Sequence, residues 1–179
     1  MNTRLVFSQL GEVGIMSKDA LLGQVREFEA INETATGPLK SLLTQTPIRA
    51  RLVINRHSAA LTRGQAVLIN TDAEGPLEAV EGPSSGAAII AGFVPWVVPS
   101  AGVPVGSTFW LITKGYCKVL SDGGNDVAIG APIQSAASGQ VSAHTAGTND
   151  IYCCGKMLEA IGASAAALVA AYVDVPLSP

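Results

Sequence analysis

From Arg49 onward the apolar residues come in short bursts. "RARLVINR" (49–56), "GQAVLINT" (64–71), "AAIIAGFVPWVV" (87–98), "TFWLI" (108–112), "YCKVL" (116–120) and "LVAAYVDV" (168–175) are rich in Val, Ile and aromatic residues, with Gly, Pro, Asn, Asp and Ser between them. Such side chains suit a pleated, half-buried surface, and frequent turn residues at short intervals predict many short strands. Within residues 109–133, Gly115 breaks the first run, Tyr116 to Leu120 resumes it, and Ser121 to Asp126 is a dense turn signal. Val127 to Ile133 starts again, punctuated by Gly130 and Pro132. The pattern predicts an all-β fold, a small barrel or sandwich. A glycine followed three residues later by an apolar strand start recurs at Gly64, Gly106 and Gly130. Its unequal spacing marks recurrent turn chemistry, not a repeat.

Residues 1–48 lack this punctuation. "KDALLGQVREFEAIN" (18–32) reads as a helix capped by Ser17, with Ala20, Leu21, Val25, Phe28 and Ile31 on one face, and 32–38 reads as loop. The division is therefore an extended N-terminal arm or small subdomain over 1–48, followed by a β-domain over 49–179. The arm is expected to make intermolecular contacts, with Leu5, Phe7 and Leu10 as apolar anchors. Deleting residues 1–15 is then expected to leave the barrel's melting temperature nearly unchanged. The tail 159–176 has alanine in favour of helix. Gly162 and Ser164, followed by Val169, Val173 and Val175, favour a turn and a final strand.

Composition sharpens the class. The apolar fraction is 48% and the charged fraction only 14%, against about 25% for an ordinary globular protein, so the surface is poor in charge. Surfaces of that kind usually end up covered by partners, which points to assembly. The net charge of −3 divides unevenly: residues 1–63 carry +3 and residues 64–179 carry −6. Opposite-sign halves suit a molecule lying on an acidic surface through one end. The basic residues are dispersed and no Lys/Arg run occurs, which argues against nucleic-acid binding. The uncharged stretch Ala160 to Val173, 14 residues long, is too short to span a membrane as a helix. No secretory leader opens the sequence, and three cysteines, two of them adjacent, read as reduced thiols made in a cytoplasm.

Candidate chemistry is sparse. His57 and His144 are the only histidines, and Cys117, Cys153 and Cys154 show neither CxxC nor HxxxH spacing, so no metal site is expected. Adjacent Cys153 and Cys154 should point to opposite faces of a strand. A Cys117–His57 or Cys117–His144 nucleophile pair has no local sequence support. Asp122 and Asp126 flank Gly123-Gly124-Asn125 but lack a calcium loop's closing glutamate, and read as a solvated turn. Glu78 and Glu81 lie in a Pro/Gly-flanked stretch that reads as an exposed turn, and Gly82 to Gly86 as a loop without the helix a phosphate cradle needs. No catalytic residue and no cofactor is expected. Trp96 lies in the Pro-broken "VPWVVPSAGVP" and reads either as core or as an interface anchor. Trp110 reads as core.

Taken over most of its length, the chain resembles the capsid decoration (cement) proteins of tailed bacteriophages. "FSQLGEVG" (7–14) is similar to that family's Phe-x-x-x-Gly-Glu opening, and "QTPIRARLVINR" (45–56) to its Pro-containing segment ending in a strand. "AAIIAGFVPWVVPSAG" (87–102) resembles the strand carrying Ala-Gly-Ile/Phe-x-x-Pro, and "VPVGSTFWLITKGYCKVL" (103–120) the hydrophobic strand before a Gly and a second strand. "VAIGAPIQSAASGQV" (127–141) resembles the Val-Gly-Asp-Pro-Leu module, except that Ala131 stands where that family has Asp. The resemblance implies a β-rich virion protein on the outer surface of a phage head, bound to the major capsid protein and bridging capsomers. It also implies no catalytic residues; self-association as dimer or trimer is expected, with neither nucleic acid nor membrane as a partner. The rival expectation is a small-molecule or glycan-binding β-barrel; a hydrolase using Cys117 with His57 is a distant third.

Overall fold

The computed structural model describes residues 7–14, 22–29, 46–70, 79–124, 126–145, 147, 150–161 and 167–175. Among the described residues ten strands carry the fold: β1 (Val25–Phe28), β2 (Ile48–Asn55), β3 (Ala66–Ile69), β4 (Ala79–Pro83), β5 (Gly92–Phe93), β6 (Thr108–Leu120), β7 (Pro132–Ser135), β8 (Val141–Ala143), β9 (Cys153–Met157) and β10 (Leu168–Asp174). They form one sheet in the order β1-β2-β4-β3-β5-β6-β10-β9-β7-β8, with a further pairing of β2 to β6. The all-β expectation holds, and the helical segments among the described residues are short 3-10 turns. Among those residues no helix is long and apolar enough to cross a membrane.

The additional β2–β6 pairing closes β2-β4-β3-β5-β6 into a ring. Its members pair antiparallel except β2 with β4, which run parallel. Side chains alternate across each strand, so the ring's inward set is Val53, Val67, Val80, Phe109 and Leu111, joined by Leu61, Val94, Val98 and Val103 from the loops. All nine are buried, and they fill the ring with apolar side chains. A second circuit runs β6-β10-β9-β7-β8 and returns to the end of β6 through the Ser121–Val141 bridge. Cys117, Val119, Ile133, Val141, Cys154, Met157, Ala171 and Val173 belong to the larger core, to which β1, β2, β3 and β5 also contribute.

The 13-residue β6 is a wall of both circuits. Sequence reading splits it at Gly115, yet it continues through that glycine because of a bulge. Arg49 pairs with Lys114 whereas Ala50 pairs with Ile112, leaving Thr113 as the extra residue. A bulge shifts alternation by one position. Trp110 and Ile112 face the larger core before it, and Cys117 and Val119 after it. Two hydrogen bonds fasten the bulge: the Thr113 hydroxyl donates to the Arg49 carbonyl at 3.3 Å, and the Thr113 carbonyl accepts from the Val175 N–H at 3.0 Å. Gly115 then adopts φ +109°, and a Cβ there would stand 3.0 Å from the Pro47 carbonyl oxygen. Only glycine fits both conditions without strain.

Three local expectations change. Residues 25–28, read as helix, form β1 antiparallel to β2, because the chain returns along β2 and its Phe28 drops into the core. The run 87–98 gives only the two-residue β5, since Pro95 lacks the donor a longer ladder requires. The stretch around Glu81, read as an exposed turn, is β4, with Ala79 and Val80 buried and Glu81 exposed; Glu78 lies outside the described residues.

The described pieces of 1–48 belong to this body and do not extend from it as an arm. Leu10 and Phe28 are fully buried members of the larger core, Val13 bridges to Phe109, and β1 is hydrogen-bonded to β2. A boundary at 48/49 also cuts β2 after its first residue.

Candidate functional site

The His57 ring packs close to Gly82, and its backbone N–H donates to Asn55 Oδ1 at 2.9 Å. Buried Asn55 uses its amide to bind the carbonyls of Ala59 and Val103, at 3.2 and 3.0 Å, and so pins the loop between β2 and β3. The His144 side chain is 3% exposed and lies between two oxygens: Nδ1 is 2.8 Å from Gln134 Oε1 and Nε2 is 3.1 Å from Asp150 Oδ1. The His144 bond, then a Gly147 backbone bond, holds the Asp150 carboxyl below its ordinary value of 3.8.

Cys117 and Cys154 are buried and Cys153 is half-buried, so the adjacent pair does occupy different environments. Burial pushes the Cys117 and Cys154 thiols upward, away from the thiolate a nucleophile needs. Asp122 Oδ1 accepts the Gly124 N–H at 3.0 Å, an Asx turn. Among the described residues no group of three or more His, Cys, Asp or Glu is gathered as a metal ion requires.

Of the four partner-binding candidates, Leu5 lies outside the described residues, and Phe7 opens the 3-10 turn Phe7–Gly11 with only its backbone described. Leu10 is 0% exposed and packs inside its own chain, so it is a core residue and not an intermolecular anchor. Trp96 is half-buried, in a turn just beyond β5. Its ring meets Tyr116 edge-on, with centroids 5.3 Å apart and planes at 75°.

That contact defines a platform on the outer face of the second circuit. After the bulge the even-numbered residues of β6 point away from the larger core. They align with β10 and β9: Lys114 with Asp174, Tyr116 with Tyr172 and then Lys156, and Lys118 with Ala170. Trp96 and Tyr172 pack against the small cluster Tyr116, Leu158 and Ala170 at its centre. Toward β2 and β1 the charged row continues through Arg49 to Glu27. Lys114 Nζ is 2.8 Å from Asp174 Oδ2, a bond that raises the Lys114 ammonium above its ordinary value; Arg49 is 3.9 Å from Glu27. A shallow cleft of about 230 Å³ opens here, lined by Glu27, Thr46, Pro47, Arg49, Lys114 and Tyr172. Sequence reading singled out Trp96 but not the lysines around it, because the register of β10 with β6 and β9, which brings Lys114, Lys118 and Lys156 to one face, leaves no mark in the local sequence.

Arg51 was also missed. It is 5% exposed, burial lowers its ordinary value, and its Nε makes no hydrogen bond.

Fold and platform together define a small all-β body of two circuits with an aromatic and basic outer face. No family model matches the chain, and no curated protein matches it either. Among solved structures it is similar to the N base of head fiber gp8.5 of bacteriophage phi29, at 9% sequence identity and a TM-score of 0.50. The match covers 71% of this chain and 94% of that one. At that identity the likeness is one of fold.

Proposed function

We propose that this chain is a structural protein of a phage head, held on the outer surface of the capsid by the major capsid protein and stabilising the shell across capsomer joints. The observation that carries the reading is the fold shared with a head-fiber base, which extends over nearly all of that base. The low charged fraction supports it, because weakly charged surfaces of this extent are usually covered in an assembly. On this reading the chain binds and braces, performs no reaction, and self-associates on the shell. The rival reading of a small-molecule or glycan-binding β-barrel is not favoured for a ligand held inside the closed ring, which is filled by its own nine side chains.

The test is direct. Purified particles should contain this chain, and particles made without it should lose integrity at lower temperature and on osmotic shock. Particles that lack the chain and resist both equally well would reject the bracing role. Absence of the chain from purified particles would reject the head assignment itself.

A further inference from the structure

Residues 64–179 carry nine acidic and three basic side chains, yet the three basic ones, Lys114, Lys118 and Lys156, all lie on the Trp96 platform. Of the described carboxylates in that half, Asp174 pairs with Lys114 and Glu159 accepts the Ala170 N–H at 3.1 Å, both at this face. Glu81 is on β4, Asp122 and Asp126 follow β6, and Asp150 precedes β9, so none of the four is on the paired stretches of β6, β10 and β9 that carry the lysines. The half of the chain with the greater negative charge thus presents a face on which cations outnumber carboxylates. At its centre Trp96 and Tyr172, both half-buried, cover the fully buried Tyr116. An aromatic centre ringed by charge is the anatomy of a protein interface, with the large side chain as anchor and the rim setting partner choice.

We propose that this platform is the docking surface of the chain and that its partner is an acidic protein surface, with Trp96 as the apolar anchor and Lys114, Lys118 and Lys156 as the complementary rim. The inference rests on the head-protein reading and names the face and the chemistry that reading leaves open. A nucleic acid fits less well. Three lysines with two carboxylates among them neutralise few phosphates, whereas phosphate binding draws on many cations at once.

Rim charges act on encounter and salt dependence more than on packing, so reversing them should separate docking from folding. The experiment compares wild type with Lys118→Glu/Lys156→Glu, and with Arg26→Glu/Arg56→Glu as a control of equal charge change. Arg26 and Arg56 are exposed and lie off the platform. Binding is measured to heads assembled without this chain, at low and high salt, beside a DNA duplex; melting curves verify the folds. Wild type should bind heads, more weakly as salt rises. The lysine reversal should bind on the order of tenfold more weakly with a flatter salt response, and the arginine control should stay near wild type. A Lys118→Gln/Lys156→Gln pair should fall between wild type and the reversal. If wild type binds heads and the lysine variants bind equally well, or if the arginine control loses as much, the docking face is wrong and the head reading stands. Binding to the duplex in place of heads would overturn the acidic-protein partner. Failure of wild type to bind heads would overturn both readings.

Discussion

Phe28 meets Trp110 edge to face, with ring centroids 5.2 Å apart and planes inclined at 72°. The first ring comes from β1 and the second from β6, so the contact fastens an N-terminal strand to the shared wall of the fold. Burial of large apolar side chains and the aromatic geometry both favour it. Phe28→Ala should destabilise the protein by about 3–5 kcal/mol, read from chemical denaturation. For the same reason, deletion of residues 1–15 should lower the melting temperature, because it removes fully buried Leu10. An unchanged melting temperature would place Leu10 outside the folded core in solution.

Gly115 supports the bulge through its positive φ and its closeness to the Pro47 carbonyl. Gly115→Ala should cost about 1–3 kcal/mol through backbone strain. A neighbouring exposed substitution such as Lys156→Ala should leave stability nearly unchanged, within about 0.5 kcal/mol. Parallel thermal melts of the two variants check the contrast.

The thiols should separate by burial. Cys153 is half-buried, whereas Cys117 and Cys154 are buried and pushed away from ionisation. A thiol reagent added to the native protein should label Cys153 first and leave the other two until the protein unfolds. Mass spectrometry of the labelled peptides reads the order directly. Early labelling of Cys117 would mean that the second circuit opens readily.

Acid should release the contact between Asp150 and His144. Because the Asp150 carboxyl is held below its ordinary value in the folded protein, the contact is in place above that value and is lost as pH falls through the lower, folded one. The Asp150 carboxyl followed by NMR should titrate below 3.8, and the His144→Ala variant should move it back toward that value. A midpoint indifferent to His144 would dismiss the contact. Asp150 is exposed, so the effect on global stability should be slight.

What could be read from the sequence was whatever local side-chain chemistry decides. β2, β3 and β10 announce themselves by Val, Ile and aromatic density, and Val169, Val173 and Val175 favour the final strand over a helix. What escaped was decided by distant partners. Val25 to Phe28 has the spacing of a helix but pairs with a strand whose partner residues begin at Ile48. Ala79 and Val80 are too few to signal a strand alone, and they become one by lying parallel to Ile54 and Asn55. At the candidate site, Trp96 was legible as a large apolar residue among prolines. The lysines beside it were not, because their common face depends on the register of β6 with β10 and β9.

The shared β6 has a consequence for inheritance. One strand closes two circuits, so neither circuit is a module that can be copied, exchanged or lost by itself. A recombination that parts the residues before Thr108 from those after Leu120 leaves one circuit open, whichever fragment keeps the strand. Descent can vary the loops on this body, but it must pass on the body whole.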